Sequence, residues 1–357
     1  MHTLIATQSA SGLAIFWFGL IGLLWAGYFL LEGFDFGVGI LMPFATKDEL
    51  DRRGLVNAIG PTWDGNEVWL LTAGGATFAA FPLWYATVFS GFYLALFLIL
   101  AALIARGMAF EFRGKRDSAA WRAGWDQAIF WGSLLPALLW GVAFADFLHG
   151  VPIGQAGSWT NGFWYLVKPY GLLGGLTTLS LFTLHGATFL GLKTEGELRE
   201  RVRGIATKLS VPTFSITTAF LTWTYLDAVH TNHKGLVPSF LPVLALLVLA
   251  SVGWLVREHL EGWAFVATAF VVVSFVATIF LALYPRVLVS SNGARFDLTI
   301  ANAASQAYTL KVMTIVAAIF TPFVLAYQSW TYWVFAKRVR RPSAAEVASG
   351  ANATASH

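Results

Sequence analysis

The sequence predicts an all-α polytopic membrane protein with about nine transmembrane helices. Three observations carry that reading. Of the 357 residues, 57% are hydrophobic and only 12% charged, where ordinary globular domains carry roughly 25% charge; this is too little to cover a soluble surface. Aromatic residues reach 16%, with 30 Phe and 16 Trp, and amphipathic rings suit a bilayer interface. Apolar runs of spanning length recur along most of the chain. Together these exclude a soluble enzyme and a disordered chain. The absence of cysteine excludes a disulfide scaffold, a thiolate nucleophile, an iron–sulfur cluster and Cys-ligated haem or zinc.

A spanning helix needs roughly 20 mostly apolar residues. In chain order such runs fall at 14–44, 57–81, 83–110, 123–147, 169–191, 206–228, 238–256, 262–284 and 308–336. The first is long for one crossing and must tilt or protrude. The opening MHTLIATQSASG has no basic n-region, and no small-residue cleavage site follows the run, so the run reads as a retained span rather than a signal peptide. The second and third runs are divided only at Phe81-Pro82, where proline forces a break. The connections 148–168, 229–237 and 285–307 are rich in Gly, Asn, Ser and Pro. Gly33–Gly37 and Gly171–Gly175 have the spacing at which helices approach closely. Residues 1–341 read as a single transmembrane domain without internal repeats. The small, polar tail 342–357 is expected to be disordered.

The basic residues orient the spans. With nine crossings, 18 of the 23 Lys and Arg fall on one side, in the connections after spans one, three, five and seven and after the last span. Arg106 is counted with that side, beside Arg113, Lys115, Arg116 and Arg122. The positive-inside rule then places the N-terminus outside and the C-terminus in the cytoplasm. The net charge of +4 is thereby explained by cytoplasmic loops, with no need of a nucleic-acid partner.

Polar groups within spans carry most of the functional information, because lipid does not solvate them. Span one holds Glu32 and Asp35 in LLEGFDFGVG; span two opens with PTWDGNEVWL, holding Asp64 and Glu67. In an antiparallel hairpin turning near residues 49–50, equal sums of residue numbers mean equal depth. Asp35 should lie level with Asp64, and Glu32 with Glu67. The i, i+3 spacing puts each pair on one helix face. Neither span contains Lys or Arg to neutralise four carboxylates, so one or more should hold a proton and titrate as a coupled group. A string of exchangeable carboxyls suits a proton relay or a cation-binding pocket. A plainer reading also exists, since Asp64-x-x-Glu67 has the form of a capping box and Pro61 is compatible with a helix start.

Of the seven histidines only His185, in LFTLHGATFL, lies well inside a span; a helix–helix hydrogen bond is its simplest role. Trp84, Trp121, Trp164, Trp263, Trp330 and Trp333, near span ends, read as interface anchors. No phosphate loop, dinucleotide fingerprint, metal-spaced motif or serine elbow is present.

The strings EGFDFGVG, PTWDGNEVWLLTAGGATFAAFP, FSGFYLALFLILAALIARGMAFEFR and WDQAIFWGSLLPALLWGVAFADFLHGVP closely resemble subunit II of the cytochrome bd quinol oxidases, over about residues 15–195. The resemblance implies two four-helix bundles plus a peripheral helix, in a respiratory terminal oxidase of the bacterial inner membrane. That enzyme oxidises quinol and reduces dioxygen to water. The resemblance implies a heterodimer with subunit I, which would ligate haem b and haem d, with no haem or metal ligated by this chain. It admits a structural quinone here and a small accessory subunit. Carried over by position, Asp64 would lie on a proton route, with Asp35 and Glu32 near it; Glu67 joins them in the expected proton-transfer group as an extra acid beside Asp64. Trp69, with Trp63 beside it, would lie near an oxygen route. Glu67 stands where some relatives have Gln. Two other classes compete: a purely structural partner subunit, and a proton-coupled secondary transporter, which would usually show inverted repeats.

Overall fold

The computed structural model describes residues 10–230 and 240–339. Its long helices follow the apolar runs closely: α1 (Gly12–Ala45), α2 (Glu49–Ile59), α3 (Trp63–Ala80), α4 (Pro82–Gly91), α5 (Tyr93–Phe112), α6 (Ala119–His149), α7 (Pro169–Lys193), α8 (Gly196–His230), α9 (Phe240–Arg257), α10 (Glu261–Leu283), α11 (Ile300–Ala303) and α12 (Ala307–Val334). Seven of them (α1, α5, α6, α7, α9, α10 and α12) are long and apolar enough to cross a membrane. The other two expected spans form helices, α3 and α8, that carry more polar residues. The tail beyond Arg341, most of the 229–237 connection, and His2, His233 and His357 lie outside the described residues.

The helices pack as two groups of four. The first contains α1, α3 with α4, α5 and α6; the second contains α7, α8, α9 and α10. The groups share a seam in which α1 and α6 pack on α7, and α1 on α10. Small residues set that seam. A Cβ on Gly37 would lie 2.0 Å from the Phe182 carbonyl oxygen and 2.8 Å from Gly186 Cα. A Cβ on Gly141 would meet the Gly174 carbonyl at 2.4 Å, and one on Gly175 the Leu138 carbonyl at 2.8 Å. The GxxxG spacing therefore marks real backbone approaches on α1 and α7.

Three details differ from the sequence reading. Residues 49–59 form a separate helix, α2, whose N-cap Asp48 accepts from Asp51 N–H. Span two accordingly begins at Trp63 rather than residue 57, past Gly60-Pro61. The run 83–110 is broken at Phe92, because the Trp159 ring presses against Gly91, where a Cβ would lie 2.0 Å from it. Trp84 is 3% exposed and packs among Phe18, Phe81, Phe147 and Phe280; it belongs to the core rather than an interface. Trp164, Trp263, Trp330 and Trp333 are exposed, as anchors would be.

At the end remote from α2, the α6–α7 and α10–α11 connections interlock. Strand β1 (Arg286–Leu288) pairs antiparallel with β2 (Leu298–Thr299). Val151 N–H donates to Val289 O at 3.0 Å, and Ser290 Oγ to Ile153 O at 2.7 Å. Helix α12 lies outside both groups. Leu310 is its one buried residue, and it is held by hydrogen bonds: Trp17 Nε1 donates to Leu310 O and Thr314 Oγ1, and Arg338, just past the helix, donates to Thr194 O at 2.8 Å.

A buried acid cluster as the candidate functional site

Glu32 and Asp35 are both fully buried. They sit one turn apart on α1, on the face turned to α3 and α5. The base they face comes from neither hairpin span. Arg106, in the middle of α5, is fully buried and forms a salt bridge from Nη2 to Glu32 Oε1. Its guanidinium lies over the Phe36 ring at 4.8 Å and the Phe110 ring at 5.5 Å. Gly132 of α6 makes room for it, since a Cβ there would lie 2.7 Å from Arg106 Cβ. The expectation that no base neutralises the acids is therefore corrected. The charge tally placed Arg106 in a loop, but it is a core residue. Its charge also acts on Asp35 and Glu67.

The depth expected from the hairpin sums is close, but the face is not. The α3 residue that meets Asp35 is Asn66, whose Nδ2 donates to Asp35 Oδ2 at 2.7 Å. Asp64, two residues earlier and so on the opposite side of the helix, is exposed. It lies in the first turn of α3, behind an N-cap position occupied by Thr62, so it is not the cap that a capping box requires. A carboxylate in the first turn still complements the helix dipole. Glu67 is half-buried, with Oε2 wholly enclosed and without a hydrogen-bond partner among the described residues.

Helix α12 completes the cluster. Asn66 Oδ1 accepts from Tyr332 Oη at 2.7 Å and from Gln328 Nε2 at 3.4 Å. Gln328 Oε1 in turn accepts from Trp69 Nε1 at 2.7 Å. Trp69 reaches this position because its ring lies against Gly27 of α1, where a Cβ would come within 2.3 Å. Trp63 packs instead on α5, over Gly107 and against Phe110 at 5.1 Å. The two indoles serve different contacts and are not neighbours. Sequence reasoning missed Asn66, Arg106, Gln328 and Tyr332. The only available signal was a buried-length run interrupted by a polar residue, which is weak for an amide or a phenol.

His185 lies elsewhere, at the α7–α10–α1 junction. Its Nδ1 meets Thr268 Oγ1 at 2.7 Å and its Nε2 meets Leu30 O at 3.1 Å. Both ring nitrogens are engaged by protein groups, so this histidine is a helix–helix hydrogen bond and does not fit an axial haem ligand. Among the described residues, no group of His, Cys, Asp and Glu is arranged to hold a metal ion. Another buried acid, Asp146 of α6, sits against the first turn of α7; a Cβ on Gly171 would lie 2.7 Å from its Oδ1.

At the α2 end, Arg113 forks onto Glu49 with Nη1–Oε1 at 2.9 Å and Nη2–Oε2 at 2.8 Å, and donates Nε to Asp126 at 2.6 Å. Burial pushes the Glu49 carboxyl up, but Arg113, Arg53 and Arg122 outweigh it and hold the group below its ordinary value. This fork ties α2 to the end of α5 and the start of α6, and so fixes the mouth of the hairpin that presents the acid cluster.

Residues 13–335 match the family model described as cytochrome bd terminal oxidase subunit II. The chain is 43% identical over 323 residues to the cytochrome bd ubiquinol oxidase subunit 2 of Bacillus subtilis, covering 90% of this chain and 96% of that protein. It is 35% identical over 366 residues to the cytochrome bd-I ubiquinol oxidase subunit 2 of Escherichia coli K12, covering 92% and 96%. A chain of the bd oxidase structure from Geobacillus thermodenitrificans superposes with a TM-score of 0.72 at 16% identity, over 91% of this chain and 97% of that one; at that identity the likeness speaks for the fold alone.

Proposed function

Because this chain belongs to the cytochrome bd terminal oxidase subunit II family, we propose that it is the partner of a haem-bearing subunit I in a bacterial quinol oxidase. We propose further that its acid cluster holds and passes protons from the cytoplasmic side. The first part follows the family; the transporter alternative falls with it. The second rests on one observation. Two fully buried carboxylates, Glu32 and Asp35, share one fully buried guanidinium, Arg106. Arg106 balances one of them, and an uncompensated charge in a bilayer interior is expensive. The other carboxylate is held neutral by a proton, and that proton is exchangeable. Half-buried Glu67 feels the charge of exposed Asp64 and acts in turn on Glu32, giving a series of acids of increasing burial.

Asp64 shares the exposed face of α3 with Val68, Leu71 and Phe78. We propose that subunit I covers this face, so that Asp64 leads protons out of this chain toward the partner. Reduction of dioxygen to water consumes protons there, and the haems are the partner's, as the engagement of His185 supports. In the complex, Asp35→Asn and Asp64→Asn should each lower oxygen uptake per haem on the order of tenfold or more, with haem content and subunit pairing retained. Asp64→Glu should keep part of the activity. Near-wild-type uptake in both Asn variants would leave the chain a purely structural partner.

The charge asymmetry carries a topological prediction. A reporter fused after Arg341 should read cytoplasmic and one inserted at Asn292 should read outside. Both on one side would overturn the orientation, and with it the cytoplasmic entry of protons.

A further inference from the structure

Resting on the proton-holding reading of Asp35, we infer that Trp69 is a positioning residue: through Gln328 and Asn66, its indole N–H decides which oxygen of Asp35 carries the proton. The argument is one of donors and acceptors. An indole nitrogen can only donate, so the group 2.7 Å from Trp69 Nε1 must be the oxygen of the Gln328 amide. That leaves Gln328 Nε2 facing Asn66, 3.4 Å from its Oδ1. The Asn66 amide is thereby set with its oxygen toward α12 and its nitrogen toward α1, where it donates to Asp35 Oδ2 at 2.7 Å. The Leu31 carbonyl, 3.5 Å from the same nitrogen, favours the same orientation.

An N–H of this kind pairs best with the carbonyl oxygen of a carboxyl group, so Oδ2 is the acceptor. The proton then sits on Oδ1, which is buried and has no hydrogen-bond partner among the described residues. In transfer the Oδ1–H bond breaks and re-forms, and the amides keep their own hydrogens. Turning both amides over would place Asn66 Oδ1 against Asp35 and require the proton on Oδ2. That arrangement would also point Gln328 N–H at the indole N–H, two donors face to face, and Trp69 forbids it. Tyr332 does not choose between the two, because its hydroxyl can donate or accept. The charged and titratable groups around Asp35 are Glu32 on α1, Glu67 on α3, Arg106 on α5 and Tyr332 on α12. Where α6 and α7 pack on α1, α6 presents Ser133 and Trp140, and α7 presents His185, which is turned to Leu30 and Thr268.

The readout is the infrared C=O stretch of the protonated carboxyl in redox-difference spectra of the complex purified with its partner subunit. The wild type should show one carboxyl band that Asp35→Asn removes. Trp69→Phe, which keeps an aromatic ring and loses the N–H, should add a second band from the turned-over amides, and Gln328→Leu should do the same. Tyr332→Phe should keep a single band. An unchanged single band in Trp69→Phe overturns the inference while leaving Asp35 as a proton carrier; a raised KM for oxygen in that variant would return Trp69 to an oxygen route. If the wild type has no band that depends on Asp35, the proton reading of Asp35 fails, and this inference with it.

Discussion

Arg106→Gln is expected to destabilise the assembled protein by about 3 to 5 kcal/mol, the usual cost of leaving one member of a buried ion pair without its partner. The guanidinium is fully buried and faces Glu32 between the rings of Phe36 and Phe110. Glutamine fills part of the space but leaves Glu32 without a countercharge. The double variant Glu32→Gln, Arg106→Gln replaces the charged pair by two amides and should recover much of the loss, since a buried pair contributes little beyond what a neutral pair of similar size supplies. Thermal unfolding of the detergent-solubilised complex, followed by loss of its haem absorbance, measures both. Equal destabilisation in the single and double variants would mean that packing around Arg106, and not its charge, holds this part of the bundle.

A comparable effect is expected at the α1–α7 crossing. In Gly37→Ala the new methyl would need to occupy a point 2.0 Å from the Phe182 carbonyl oxygen, far inside contact distance and against backbone that cannot rotate away. Gly186→Ala meets the Gly37 backbone in the same way, with Gly37 C at 2.5 Å. The helices must separate along the seam shared by both four-helix groups, and overpacking of this kind costs typically 1 to 3 kcal/mol and sometimes more. Each variant should therefore accumulate poorly or unfold at lower temperature. Gly204→Ala on α8 has nothing within 4 Å of its added Cβ and should be neutral or stabilising by about 0.5 to 1 kcal/mol, the helix-propensity gain alone. If Gly37→Ala behaves like Gly204→Ala, backbone contact does not set the spacing of this crossing.

Much of this architecture is legible in the amino-acid sequence. Apolar length locates most of the long helices to within a few residues, because a bilayer demands continuous apolar segments, but it misses the charged opening of α8 from Gly196; the family resemblance supplies their grouping into four, four and one. The acid cluster was half legible. Adding residue numbers across a hairpin estimates depth, and Glu32, Asp35 and Glu67 do meet near one level. Depth carries no information about rotation, so the sum chose Asp64 where the helix presents Asn66. Arg106 was hidden for a different reason: a charge tally assigns each base to the nearest span end, and it has no way to register a base balanced by an acid from another helix. Trp84 failed likewise, since an indole near a span end suits the interface and the core equally until its neighbours are known. Gln328 and Tyr332 lie more than 260 residues from Asn66, and nothing local marks them.

The attachment of α12 has a consequence for biogenesis. A helix that buries a single residue against its neighbours gains little from packing, so its register is set by directional bonds at Trp17, Trp69, Asn66 and Thr194, which are effective in lipid because water does not compete for them. Among the described helices it is also the last to leave the ribosome. The nascent chain can therefore insert and pair its earlier helices while the Asn66 carbonyl still lacks the donors that α12 brings. The amide chain from Trp69 to Asp35 closes only when residues 328 and 332 arrive. Closure of this hydrogen-bond network is in this way coupled to the insertion of α12, and a chain truncated before α12 would carry the acids without the groups that contact Asn66 and Trp69.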